Sequence, residues 1–139
     1  MDKNEKIEKY LAEPGRIGRL ATVSPKGQPH VVPVWFMWED GIVWVHSFMS
    51  TKKVEHLLKN PRCALVVDGS PAEPGMMGVL IKGKAEIITS PAGEVRSRAE
   101  KIYRRYLNEE ELNAPDPQSW LSSDEGLVIK ITPHLVKSI

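Results

Sequence analysis

The segment Ser50-Thr51-Lys52-Lys53 gathers hydroxyls and two ammonium groups where a helix should begin. Val54, Leu57 and Leu58 follow at i, i+3, i+4 spacing, and Asn60-Pro61 ends the pattern. The first N–H groups of a helix lack intrahelical partners and its dipole favours negative charge, so such an end attracts anions. Two lysines in the same turn would add full charges and suit a phosphate monoester. The same residues also fit a plain helix start, with Ser or Thr as the cap and both lysines in solvent.

Aromatic residues are the second chemical feature. Trp35, Trp38 and Trp44 fall on adjacent extended runs, with Phe36 and Phe48 close by. Strand alternation puts Phe36 and Trp38 on one face and Trp35 on the other. Such a surface can flank a flat aromatic ligand, or it can fill a core or a subunit interface. Other chemistries find no support. His46 and His56 have no Cys or carboxylate partner at metal-ligand spacing, and the single cysteine, Cys63, excludes an intrachain disulfide. Ser47 lacks a nucleophile elbow; Glu39-Asp40 reads as a turn and Glu109-Glu110-Glu111 as a solvated helix end. No side chain is assigned a catalytic role, although His30 or His46 has the pKa range to deliver a proton.

The elements that must position these groups are mostly strands. Ile7, Tyr10 and Leu11 outline a short amphipathic helix stopped by Glu13-Pro14-Gly15. Strands are expected at Ile17 to Val23, His30 to Trp38 and Ile42 to Ser47, joined by turns at Ser24-Pro25-Lys26-Gly27 and Glu39-Asp40-Gly41. Cys63 to Val67, Val79 to Ile88 and Gly126 to Thr132 continue the series, with a loop from Gly69 to Gly78 and a bulge or barrel corner at Gly83. A last short strand is possible through Leu135 and Val136. The longest helix carries Val95, Ala99, Ile102, Tyr103, Tyr106 and Leu107 on one face; Pro115 and Pro117 end it, leaving Gln118 to Asp124 as loop. About six regularly punctuated strands favour a small antiparallel barrel, mainly β, with helices on its rim.

The 139 residues suffice for one domain, spanning 1–139, with one core. Nineteen Lys and Arg against eighteen Asp and Glu leave a net charge of +1, so no global field draws nucleic acid or an anionic membrane. No apolar run reaches the ~20 residues of a membrane span and the start is charged, so the cytoplasm is the expected compartment.

The order of motifs resembles the flavin-binding split-barrel family related to pyridoxamine 5'-phosphate oxidase. The pieces are Arg16 to Val23, Gly27 to Phe36, Ser50 to Lys53, Asn60-Pro61-Arg62 and Ile81 to Ile87. The resemblance implies a six-stranded antiparallel Greek-key split barrel with peripheral helices, assembled as a homodimer with FMN in clefts between subunits. It implies that Thr51-Lys52-Lys53 stands where the oxidase branch has Ser-Arg-Lys on the FMN phosphate. Lys at position 52 keeps the charge but lacks the bidentate fork of Arg. It implies further that Val31, Val32, Pro33 and Val34 run along the isoalloxazine ring, that His46 and Ser47 lie near the ribityl chain or phosphate, with Ser50 beside them, and that Trp120 of a late loop lines the pocket from the second subunit.

The chain stops at Ile139, without the Trp and Arg segment that handles pyridoxal phosphate in the oxidase branch, so vitamin B6 oxidation is not the expected activity. Its compact length and Ile131-Thr132-Pro133 ending look more like the branch that includes deazaflavin-dependent reductases. Coenzyme F-420 is therefore an alternative cofactor, with Lys26, Lys82 or Lys84 available to its acidic tail. The expected function is a flavin-dependent oxidoreductase with a small-molecule redox substrate. A non-catalytic flavin or haem carrier and an oligonucleotide-binding barrel are the rival readings; the near-zero net charge counts against the second.

Overall fold

The computed structural model describes residues 2–139, the side chains of residues 70–73 excepted. Helix α1 (Lys3–Ala12) precedes strands β1 (Gly18–Val23), β2 (Pro29–Val34), β3 (Met37–Glu39) and β4 (Ile42–Phe48). Helix α2 (Lys52–Lys59) leads into the long hairpin β5 (Arg62–Glu73) and β6 (Met76–Ile88). Helices α3 (Ala92–Tyr103), α4 (Glu109–Leu112) and α5 (Pro115–Leu121) come before the closing strand β7 (Gly126–Ser138).

All strands join one antiparallel sheet in the order β2-β1-β5-β6-β7-β4-β3. The mainly β class with peripheral helices is as expected, but the described residues form seven strands where six were expected. The extra one arises because His30 to Trp38 is two strands. β2 and β3 lie at opposite edges of the sheet, yet only Trp35 and Phe36 separate them. Such a link bridges at most roughly 11 Å, so the sheet must curl until its edges meet. That seam is the split of the barrel. The ladder breaks there because Phe36 finds its partners elsewhere. Its N–H donates to Tyr106 Oη at 3.0 Å, and Arg105 Nε donates to its carbonyl at 3.0 Å.

The same two residues fasten the end of α1 to the barrel. Arg105 also donates to the carbonyls of Leu11, Ala12 and Glu13 at the end of α1, at 3.2, 3.1 and 3.1 Å, while Tyr106 Oη donates to Arg16 O at 2.6 Å. As expected, α1 buries Ile7, Tyr10 and Leu11 in the barrel core, beside Leu20, Phe36, Val43, Leu65, Ile81 and Ile129. A smaller cluster of Met37, Ala99, Ile102, Tyr103, Leu112 and Leu121 lies under α3, with Trp35 and Trp44 packed on it. The expected alternation holds: Phe36 and Trp38 belong to the main core, Trp35 to the other cluster.

Turn chemistry sets the register. Asp40 and Gly41 take φ values of 54° and 73° and close the β3–β4 hairpin. The β6–β7 register shifts at Gly83, where a Cβ would collide with the carbonyl oxygen of Thr132.

Four local expectations need correction. The stretch from Gly69 to Gly78 extends the β5–β6 hairpin instead of forming a loop, because main-chain pairing resumes at Glu73 and Met76. β7 runs unbroken through Leu135 and Val136. Pro115 and Pro117 start a helix and do not end the long one: α3 stops at Tyr103, with Tyr106 and Leu107 beyond it, and the prolines occupy the first turn of α5, whose N–H groups have no intrahelical acceptor to lose. Leu58 is 58% exposed, and His56 takes the inward place, its Nδ1 3.0 Å from Thr22 Oγ1. Among the described residues, no helix is long and apolar enough to cross a membrane.

Candidate functional site

The seam opens into a cleft of about 500 Å³ lined by Ile17, Pro33, Val34, Trp35, His46, Phe48, Lys53, Ile102, Tyr103 and Trp120. Each wall comes from a different element. The end of β2 brings Pro33 and Val34, β4 brings His46 and Phe48, α2 brings Lys53, α3 brings Ile102 and Tyr103, and α5 brings Trp120. Aromatic packing fixes the wall. The Trp35 ring stacks on Tyr106 with centroids 4.8 Å apart and meets the rings of Tyr103 and Trp120 edge-on at 5.6 and 6.4 Å. The cleft is mainly apolar with a few convergent polar groups, in the size range of small-molecule sites.

Lys53 is the charged group of this cleft. It is half-buried and, among the described residues, no carboxylate pairs with it. Burial pulls its pKa below the ordinary lysine value. Lys52, one residue earlier, points outward and meets Glu55 at 3.4 Å. The N-cap of α2 is Thr51, but its hydroxyl does not cap the helix: it donates to Phe48 O at 2.9 Å and lies 3.1 Å from Ser47 Oγ. First-turn N–H groups are thus left without a side-chain cap, on the turn that carries Lys53.

His46 and Tyr103 form the second polar group. Nδ1 of His46 lies 2.7 Å from Tyr103 Oη. Burial pushes the imidazole pKa down to about 4 and raises that of the phenol, so both are neutral near pH 7. By contrast, burial raises the Cys63 thiol to about 11, leaving it a protonated, unreactive group.

Of the residues expected from sequence, Pro33, Val34, His46, Lys53 and Trp120 converge on the cleft. Ser47 and Thr51 form a hydroxyl pair behind it. Val31 is 64% exposed on the outer sheet face, Val32 packs against the core, and Ser50 and Lys52 are exposed. Trp120, expected from a partner's loop, sits on α5 and packs into the cleft of its own chain. Ile102 and Tyr103 were not expected at the site; Trp35 and Phe48 were expected only as part of an aromatic surface that can flank a flat ligand or fill a core. Tyr103 was visible only as one of several apolar-face positions on α3.

Comparison with known proteins settles the family. Residues 4–138 match the family model described as pyridoxamine 5'-phosphate oxidase. The chain belongs to this family. The chain is 36% identical over 93 residues to a 5a,11a-dehydrotetracycline/5a,11a-dehydrooxytetracycline reductase of Streptomyces rimosus subsp. rimosus. That match takes in 63% of this chain and 65% of the relative, so the chain spans just under two thirds of that protein. A solved F-420 reductase aligns with a TM-score of 0.70 at 26% identity, covering 91% of this chain and 93% of that one. A conserved hypothetical protein of Mycobacterium tuberculosis shares the fold, with a TM-score of 0.75 at 23% identity over 99% of this chain and 84% of its own. The split barrel is thus the family's fold, and the family binds flavin or deazaflavin cofactors.

Proposed function

We propose that this protein is a reductase that holds a phosphorylated flavin or deazaflavin in the seam cleft and passes hydride to a small organic acceptor. The observation that carries this reading is Lys53: a half-buried ammonium without a carboxylate partner, in an aromatic cleft, beside the uncapped first turn of α2. A phosphate would supply the missing charge and accept the free N–H groups. Pro33 and Val34 offer β2 backbone to the polar edge of a ring system, and Trp35, Phe48 and Trp120 offer flat apolar contacts. When bound, the cofactor supplies the two-electron chemistry, and the protein supplies position and shelter from water. FMN fits the cleft in charge and size. The likeness to the F-420 reductase is the observation that favours coenzyme F-420 as the alternative.

A homodimer belongs to this reading. On the outer sheet face Val31, Ala21, Ala64, Val66, Leu80 and Leu135 point away from the core, opposite buried neighbours such as Leu20, Leu65 and Ile81. A second copy packed there would bury an apolar surface that one chain leaves open.

The test is titration of purified protein with FMN and with coenzyme F-420, followed by fluorescence. The expected result is saturable binding of one of them, with a visible spectrum that reduces and reoxidises in the presence of an enone. Binding of neither overturns the reading.

A further inference from the structure

A second cavity, of about 380 Å³, lies behind His46 and is lined by Thr89, Arg96, Ser122, Ser123, Asp124 and Gly126, among others. It differs in chemistry from the cleft. Hydroxyls and charged groups share its lining with Ala92, Val95 and Leu121, and its volume holds several waters at roughly 30 Å³ each. His46 is the residue common to both cavities.

The imidazole is oriented across this wall. Its Nδ1 meets Tyr103 Oη at 2.7 Å, and Tyr103 lines the cleft but not the polar cavity. Its Nε2 faces Gly126, where a Cβ would come within 3.3 Å of it; Gly126 lines the polar cavity but not the cleft. One ring nitrogen is therefore directed to each side. We propose that His46 and Tyr103 form a proton relay that carries protons from the polar cavity to the acceptor in the cleft.

The relay rests on the reductase reading. An electron-poor carbon that takes a hydride, with both its electrons, from the reduced flavin or deazaflavin leaves a conjugated carbonyl acceptor as its enolate. The cofactor is oxidised and the acceptor still lacks one proton. In the relay the Tyr103 O–H bond breaks and its proton goes to the enolate. The phenolate then takes the proton from Nδ1 of His46, and Nε2 takes one from a water in the second cavity, whose hydroxide is neutralised by bulk solvent; proton exchange with solvent returns the ring to its Nδ1–H tautomer before the next turnover. The imidazole changes tautomer and never needs to become a cation, which suits a ring whose pKa burial has lowered. The titratable and charged groups facing this pair are Lys53 on the cleft side and Arg96 and Asp124 on the cavity side.

Two variants and two readouts test it. In Tyr103→Phe the ring packing stays and the proton goes. With the reduced cofactor loaded and cyclohex-2-en-1-one as acceptor, turnover should fall by about a hundredfold or more, and the solvent deuterium isotope effect should change. In Gly126→Ala a methyl group crowds Nε2, so turnover should fall by less while Tyr103 is intact. The second readout needs no cofactor. Nitrogen NMR of the ligand-free protein should show His46 neutral at pH 7, with Tyr103→Phe moving its Nδ1 resonance and Gly126→Ala its Nε2 resonance. Wild-type turnover matched by Tyr103→Phe, or a His46 Nδ1 resonance indifferent to that substitution, overturns the relay and leaves the reductase reading standing. Failure of the wild type to bind either cofactor overturns both.

Discussion

Two concavities of equal size, about 500 Å³ each, lie on this barrel. The seam cleft has aromatic walls and a half-buried lysine. The outer groove, over β1, β5 and β6, carries Arg62, Lys82, Lys84 and His134, all exposed. By charge count the groove is the better anion site. In the single chain it is the poorer one by physics, since its cations are already solvated and gain little from a phosphate, whereas Lys53 has lost water without gaining a counter-ion. On the proposed reading, desolvation chooses the site, and volume and charge do not.

The largest expected effect breaks that comparison directly. Lys53→Ala should weaken FMN binding by at least about tenfold, on the scale of charge-assisted hydrogen bonds worth about 1.5–3 kcal/mol. The triple change Arg62→Ala, Lys82→Ala and Lys84→Ala should weaken it by less than about threefold. Fluorescence titration at fixed ionic strength measures both. A triple variant that loses as much as Lys53→Ala would mean that the anion reaches the groove. If the loss appears with coenzyme F-420 and not with FMN, it would identify the groove as the seat of a longer acidic tail.

The same contrast explains what was legible in the sequence. The Ser50 to Lys53 segment was legible as a helix start carrying two lysines because helix starts follow local rules, and α2 does begin at Lys52. The Asp40-Gly41 hairpin and the irregularity at Gly83 were local too. Which of two adjacent lysines turns inward was not local: it depends on the rotation of α2 against β1 and β6, the same rotation that exposes Leu58 and buries His56. The break at Trp35-Phe36 was hidden for a related reason. The residues that capture the Phe36 backbone, Arg105 and Tyr106, lie about 70 positions further along the chain. Trp120, expected on a loop of the second subunit, lines its own chain's cleft from α5, because the prolines that signal a break in a running helix are also suited to the first turn of a new one.

An intermediate effect sharpens the comparison from inside the cleft. His46 titrates at about 4 in the folded chain, against ~6.5 when unfolded. Above the unfolded value neither state holds the proton, so the shift costs no stability. As pH falls from about 6.5 towards 4 the unfolded chain takes up a proton that the folded chain refuses, and stability drops with the pH. The loss reaches a few kcal/mol at most, at ~1.4 kcal/mol per pKa unit. His46→Gln should therefore flatten the acid side of a plot of stability against pH between these values, measured by urea unfolding. An unchanged slope would mean that the imidazole is better hydrated than its surroundings indicate, and the cleft less desolvated than Lys53 requires.

The smallest expected effect comes one residue from the largest. Lys52 shares charge, length and helix turn with Lys53, but its side chain is 71% exposed and its ammonium lies 3.4 Å from Glu55. Screening by water and salt leaves such a group little specific energy to give. Lys52→Ala should change FMN affinity by less than about twofold at physiological salt, the residual effect fading as salt is raised. Lys53→Ala should keep more of its loss under the same salt series, because a half-buried ammonium is screened less than an exposed one. Equal losses with equal salt dependence would show that the turn acts as a diffuse positive end. The burial of a single ammonium would then no longer distinguish the cleft from the groove.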